Sequence, residues 1–332
     1  MPGLRTEITE IATGLGTTGR TIDEAFSTQP FALRSVPGDV WNQVAQAYDA
    51  GVDTWLFDAA FRNGQALLDA HEGLRGRAPY RVEWKGPHRP PGDNVIPADL
   101  RIDHVYLVSC KYLSNILHNP GPARLFDRLL MGEQRSSEDW FHAVSPSEYQ
   151  AFYVAARDHV ALALPDDVRD LTRQQQRTLR DCLRERELPA ELRDPWTRLC
   201  ASVSAASARR WSVNLTTTAT KLRLLWRLIR VADASYFVLG AAPGGSLRFR
   251  VMSAWDWMQV YELRAFDIAP SRAGQPQVAW SASVRRRDGD SESVVAGHVE
   301  IRWSHGRFNG MPEAKVYLDT PHAEVPGYLP LR

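Results

Sequence analysis

Cysteine is nearly absent from this chain: Cys110, Cys182 and Cys200 are odd in number and far apart. They make neither a disulfide framework nor a zinc site. Long apolar runs are missing too. No stretch reaches the roughly 18 apolar residues that a membrane span needs, so no membrane partner is expected. The opening Met-Pro-Gly-Leu-Arg-Thr-Glu lacks an apolar signal core, which places the protein in the cytoplasm as an expectation. Lysine is scarce: Lys85, Lys111, Lys221 and Lys315 are the only four, and the rest of the basic set is Arg. Forty basic residues against 39 acidic leave a net charge of +1. The molecule is therefore no polycation, and a nucleic-acid footprint must be local. There is no Gly-x-Ser-x-Gly, no Walker loop and no dinucleotide fingerprint. The Gly-rich Gly240 to Gly245 leads into a strand rather than a helix, which argues against a phosphate cradle. His118-Asn119 lacks the ββα setting and spacing of a metal site.

What remains is a soluble-protein composition, 44% hydrophobic and 24% charged over 332 residues, enough for one large domain or two. Residues 1–35 show weak periodicity and many Thr and Gly, so a loosely structured or partly helical lead-in is expected. Val40 to Leu74 reads as helix, divided at Gly51 and Gly64, with Asp53 or Thr54 as a cap. Tyr80 to Lys85 alternates like a half-buried strand, with Arg81, Glu83 and Lys85 on one face. A Pro/Gly-rich segment, Gly86 to Gly92, breaks it.

The stretch from Asn94 to Tyr112 predicts a hairpin. Val105 to Val108 is an apolar run suited to a buried strand. Val95-Ile96 and Leu100-Ile102 supply its partner, with Asp103-His104 in the turn. A turn centred on position 104 sets Asp99 opposite Ser109, where Cβ atoms lie about 4.5–5.5 Å apart. Ser109 and Lys111 share a face and Cys110 points away. A carboxylate, a hydroxyl and an ammonium then meet at one strand end. Such a set suits Mg²⁺ held through the carboxylate and waters, with the Lys on a phosphate or a metal-bound water. Asp103 replaces Asp99 as metal ligand if the turn lies elsewhere.

Pro97-Ala-Asp99, followed by an apolar strand ending Ser109-Cys-Lys111, resembles the PD-(D/E)xK nuclease superfamily in a Ser-x-Lys form. The resemblance covers roughly residues 78–130. It implies a restriction-endonuclease-like core, which usually begins with a helix and a three-strand meander, and Mg²⁺-dependent hydrolysis of DNA. It further implies a displaced second carboxylate, for which Glu83 and Asp127 are the candidates. Ala98 interrupts the Pro-Asp pair, and no Glu follows Lys111 until Glu133. Pro312-Glu313-Ala-Lys315 also spells acidic-x-Lys, but a turn rather than an apolar strand precedes it.

Tyr112 to His118 suits a helix or a loop, and Ala123 to Met131 a helix. Residues 136–232 read as helical. Ser145-Pro-Ser-Glu148 marks a helix start, and Asp166 to Glu187 is a charged, solvated helix. Ala201 to Val231 carries Arg209, Arg210, Lys221, Arg223, Arg227 and Arg230 without an acidic residue. It suits either a DNA backbone or a charged outer face. From Ser235 short strands follow: 236–239, 247–251, 258–261, 278–282, 294–303 and 314–318. The Arg285-Arg-Arg287 and Asp-Gly-Asp290 run is a hairpin tip between them.

The expected fold is mixed α+β: a restriction-endonuclease-like core with helical segments and a C-terminal antiparallel β-rich region. The expected blocks are 1–135, 136–232 and 233–332. The expected function is a Mg²⁺-dependent DNA endonuclease of prokaryotic restriction or defence, with DNA and a second copy of the chain as candidate partners. A non-catalytic module binding nucleic acid or protein stands as the alternative, and an RNA-directed nuclease as a third reading.

Overall fold

The computed structural model describes residues 3–86, 96–112, 116–131, 139–185, 187–242, 245–271 and 274–332. Most of the Pro/Gly-rich break, Asn94-Val95 and Glu133 lie outside the described residues. In chain order the elements are α1 (Leu4–Gly16), α2 (Ile22–Ser27), β1 (Leu33–Arg34), α3 (Gly38–Asp49), α4 (Thr54–Asp69), β2 (Val82–Trp84), β3 (Leu100–Ile102), β4 (Tyr106–Tyr112) and β5 (Ile116–His118). There follow α5 (Pro122–Phe126), α6 (Trp140–Val144), α7 (Pro146–Val160), α8 (Arg173–Cys182), α9 (Ala190–Asn214) and α10 (Thr218–Leu228). The chain ends with β6 (Tyr236–Ala242), β7 (Gly245–Val251), α11 (Ala254–Val260), β8 (Tyr261–Ser271), β9 (Gln277–Arg286), β10 (Glu292–Arg302), β11 (Glu313–Leu318) and β12 (Tyr328–Pro330).

The fold is mixed α+β. Unit 1 comprises Met1–Asn115, Arg230–Tyr261 and Pro321–Arg332; unit 2 comprises Ile116–Ile229 and Glu262–Thr320. The units do not follow three sequential blocks. After Ile229 the chain adds β6 and β7 to unit 1's sheet, crosses to build β8–β11 in unit 2, and returns with β12. No helix among the described residues is long and apolar enough to cross a membrane.

Unit 1 holds a seven-stranded sheet in the order β1-β2-β3-β4-β6-β7-β12. β2, β3 and β4 form an antiparallel meander, and β6 joins β4 in parallel. One face packs on α1 and α4. Val82, Trp84, Leu100, Ile102, Val108, Phe237 and Leu239 meet Ile8, Ile11, Leu15, Phe57, Phe61 and Leu67 there. Each such large side chain contributes about 1.5–3 kcal/mol by leaving water.

The lead-in expected to be loosely structured or partly helical holds two helices, and the first, α1, is deeply buried. In α1 the Thr9 and Thr13 hydroxyls donate to the carbonyls four residues back, at 2.8 and 2.7 Å, so small polar residues are buried without unmet donors. Small residues also let α1 and α4 touch at their backbones. A Cβ on Gly16 would overlap the Phe61 carbonyl, and one on Gly64 the Thr13 carbonyl. Gly64 therefore lies inside α4 rather than dividing it, while Gly51, at φ +67°, does separate α3 from α4. Asp53 precedes α4 in a left-handed conformation with no side-chain cap; its carboxylate pairs with Arg5 at 2.8 Å.

Residues 258–260 are not a strand but the end of α11, and Tyr261 begins β8. Ser253 Oγ accepts the Asp256 N–H at 3.1 Å and opens α11. The buried Trp257 then donates its indole N–H to the Pro326 carbonyl at 2.9 Å.

Unit 2 holds the sheet β5-β11-β10-β9-β8. Along β9, β10 and β11 alternate residues are buried: Val278, Trp280 and Ala282; Val295, Val299 and Ile301; Ala314, Val316 and Leu318. Tyr149, Phe152, Trp303 and Phe308 form an aromatic cluster beside them, with Phe141 edge-on to Trp303. The 112–118 stretch is extended at both described ends rather than helical. The helix expected to reach Met131 stops at Phe126, because Leu129 and Leu130 turn the chain with φ of +52° and +62°. The charged helix is confined to α8. The basic stretch is two helices, parted where the Thr217 hydroxyl caps α10 by accepting the Thr220 N–H.

Candidate active site

The hairpin places its residues by register. Leu100 pairs with Val108, Arg101 with Leu107 and Ile102 with Tyr106. Asp103 and His104, at φ +46° and +61°, make the reversal, the left-handed pair that suits the twist of a tight hairpin. Asp103 accepts the Arg81 N–H at 2.9 Å and pairs with Arg77 at 3.3 Å. It is a turn residue, which removes it as the replacement for Asp99. Tyr80, Arg81, Lys85, Ile96 and Val105 lie outside the strands expected to include them, Val105 in the turn.

Asp99 lies just before β3, 8% exposed. Its Oδ2 accepts the Cys110 N–H at 2.7 Å and faces the Ser109 hydroxyl at 3.4 Å. Ser109 is wholly buried, and Lys111, two residues on, is half-buried. Alternation puts Ser109 and Lys111 opposite to Val108 and Cys110, which face the helices. Burial, together with the Asp99 and Glu10 carboxylates, drives the Cys110 thiol well above its ordinary pKa, so it is no thiolate. Lys85 follows β2, and its N–H donates to the Asp99 carbonyl at 2.9 Å.

Across β4, Ser109 pairs with Val238 and Lys111 with Gly240. A Cβ on Gly240 would overlap the Lys111 backbone carbonyl, so this strand crossing needs glycine. The same face brings residues with no local sequence signal. Tyr236 donates to the Arg230 carbonyl at 2.8 Å. His322 stacks on Phe249 at 6.3 Å, and burial and the Lys111 ammonium lower its pKa. Burial pushes the Tyr328 phenol up to about 12. His322 and Tyr328 arrive only because the last segment returns to this sheet through β12.

The two helper carboxylates are held by arginines. Glu83 faces Arg101 in register; Arg101 Nε donates to it at 2.6 Å and Arg81 pairs at 3.1 Å. The Arg101 hydrogen bond holds its carboxyl below the usual range, against the opposing effect of burial. Diagonal neighbours on a sheet are about 7–8 Å apart, and Glu83 turns to its guanidiniums. Asp127 belongs to unit 2, where Arg210 holds it at 3.0 Å. Among the described residues no three His, Cys, Asp or Glu side chains gather for a metal. One carboxylate beside a hydroxyl fits a Mg²⁺ shared with a substrate phosphate, because Mg²⁺ keeps waters and few protein ligands. It does not fit a closed protein cage.

The basic residues do not form one free stripe. Arg210 also lies 5.6 Å from the centre of the Trp140 ring. Arg227 donates to the Leu129 carbonyl at 2.9 Å. Arg209 and Arg223 are exposed and Lys221 is half-buried. Arg230 belongs to unit 1 and has φ +61°. Arg209 and Arg210 do line a cavity of about 570 Å³ with Asp127 and Val213. The second acidic-x-Lys is engaged: Glu313 accepts from Asn119 at 2.9 Å and from Ser304, and Lys315 pairs in register with Glu300. Comparison with protein-family models, curated proteins and solved structures finds no match.

Proposed function

We propose that unit 1 is a restriction-endonuclease-like nuclease core and that the chain hydrolyses DNA phosphodiester bonds with Mg²⁺, in prokaryotic restriction or defence. The observation that carries this reading is the hairpin: Asp99, Ser109 and Lys111 lie on one face of a single strand pair. The helix-then-meander order of unit 1 supports it. Cys110 N–H and Ser109 fix the Asp99 carboxylate in one orientation. Lys111 holds a phosphate oxygen or orients the attacking water. Water adds to phosphorus, and the leaving sugar oxygen departs with a proton. Mg²⁺, when bound at Asp99, supplies charge stabilisation to the phosphate. The exposed Arg209 and Arg223 are proposed to contact the DNA backbone.

One observation favours the second reading, a non-catalytic nucleic-acid-binding module: Glu83 is spent on Arg101 and Arg81, which leaves Asp99 as the one carboxylate of the set. Incubation of supercoiled plasmid, linear DNA and RNA with Mg²⁺ separates the two. Cleavage of DNA that Lys111→Ala abolishes supports the nuclease. Binding without cleavage, in wild type and variant alike, supports the module. Cleavage of RNA alone replaces the DNA substrate.

A further inference from the structure

Unit 2 contains a cleft that the hairpin chemistry does not use. Its volume is about 1020 Å³, at the upper end of the roughly 300–1,000 Å³ usual for small-molecule sites. Its lining is basic: Arg180, Arg184, Arg302 and Arg307 against Asp181 and Glu185. The walls are braced. Arg307 Nη1 donates to the Leu183 and Glu185 carbonyls at 2.9 Å each, tying the segment after α8 to the β10–β11 connection. Gly306, at φ +96°, lets the Arg180 side chain pass where a Cβ would meet its Cγ at 2.6 Å.

The floor is aromatic. Trp196 is half-buried and anchored by its indole N–H on the Gly274 carbonyl at 3.0 Å. Its ring lies 6.3 Å from that of Trp303, at 25°. Trp303 is only 8% exposed. Its indole N–H and the Nε–H of Arg302 are buried with no hydrogen-bond partner. Buried donors without acceptors are costly, and both belong to residues of the cleft wall. A flat indole within an arginine-lined wall matches a planar base joined to a phosphate.

We infer that this cleft binds a nucleoside phosphate, either a free nucleotide or a residue of a single-stranded nucleic acid. The base stacks on Trp196, and Arg184 and Arg302 hold the phosphate. The site needs neither Asp99 nor Lys111, so it stands apart from the nuclease reading.

The test uses the full chain in EDTA. Binding of a fluorescein-labelled oligothymidylate of about eight nucleotides is followed by anisotropy, and binding of AMP by calorimetry. Inorganic phosphate serves as competitor. The expected result is salt-sensitive binding of the oligonucleotide, of AMP or of both, which identifies the source. AMP outcompetes phosphate by about tenfold or more. Arg184→Glu, on an exposed side chain, weakens binding by about tenfold. Trp196→Ala does the same, and Trp196→Phe restores part of the loss. The inference is overturned if neither ligand binds, if Arg184→Glu changes nothing, or if phosphate competes as well as AMP. Plasmid cleavage that persists in Arg184→Glu would leave the nuclease reading intact whichever result is found.

Discussion

The backbone N–H of Cys110 donates to Asp99 Oδ2 at 2.7 Å, so the strand that carries Ser109 and Lys111 also fixes the carboxylate opposite them. Asp99→Leu leaves that buried N–H without its acceptor and costs about 1–3 kcal/mol. Asp99→Asn keeps an acceptor oxygen and costs less, but removes the charge. Urea unfolding separates the two variants, whereas Mg²⁺-dependent plasmid cleavage falls in both.

Glu83 ties folding to acid. Its Arg101 and Arg81 partners lower its carboxyl in the folded chain. The unfolded chain therefore takes up the proton first as pH falls. The stability Glu83 contributes is complete above the ordinary glutamate value of about 4.3 and is lost as pH drops through the lower folded value. Urea midpoints measured from pH 6 to about 2.5 fall more gently for Glu83→Gln than for wild type.

The α1–α4 contact has no room for a methyl group. Gly64→Ala forces a Cβ onto the Thr13 carbonyl and destabilises by about 1–3 kcal/mol or more. Gly38→Ala, with open space around its Cβ, is the control and changes the thermal midpoint little.

His104 holds φ +61° in the hairpin turn, at a cost of about 1 kcal/mol that glycine does not carry. His104→Gly raises the urea midpoint without altering the slope, and the Asp99–Ser109 register survives.

The hairpin was legible because its information is local. Tyr106 to Val108 and the turn residues lie within a dozen positions, and strand alternation then fixes which side chains meet, although Val105 falls in the turn and is exposed rather than in the strand. The α1 helix was legible only as a partly helical lead-in, without its burial. Its Gly and Thr residues look like a loop until Gly16 and Gly64 are seen to bring two backbones together. The α11 helix carried its signal in Ser253 and Asp256, but the apolar residues around Met258 fit a strand equally well. Tyr236, His322 and Tyr328 join the candidate site from far along the chain, through a sheet completed by β6, β7 and β12. No local pattern encodes that return. Glu83 stands on the face expected of it, yet its charge goes to Arg101, a neighbour across the strands.

The most direct measurement is the single-turnover rate of supercoiled-plasmid cleavage at saturating protein with Mg²⁺, for wild type and Lys111→Ala. The account predicts cleavage by wild type, none in EDTA, and a fall of about a hundredfold or more in the variant with DNA binding retained. Bound plasmid left intact by wild type, or equal rates in the two proteins, would contradict it.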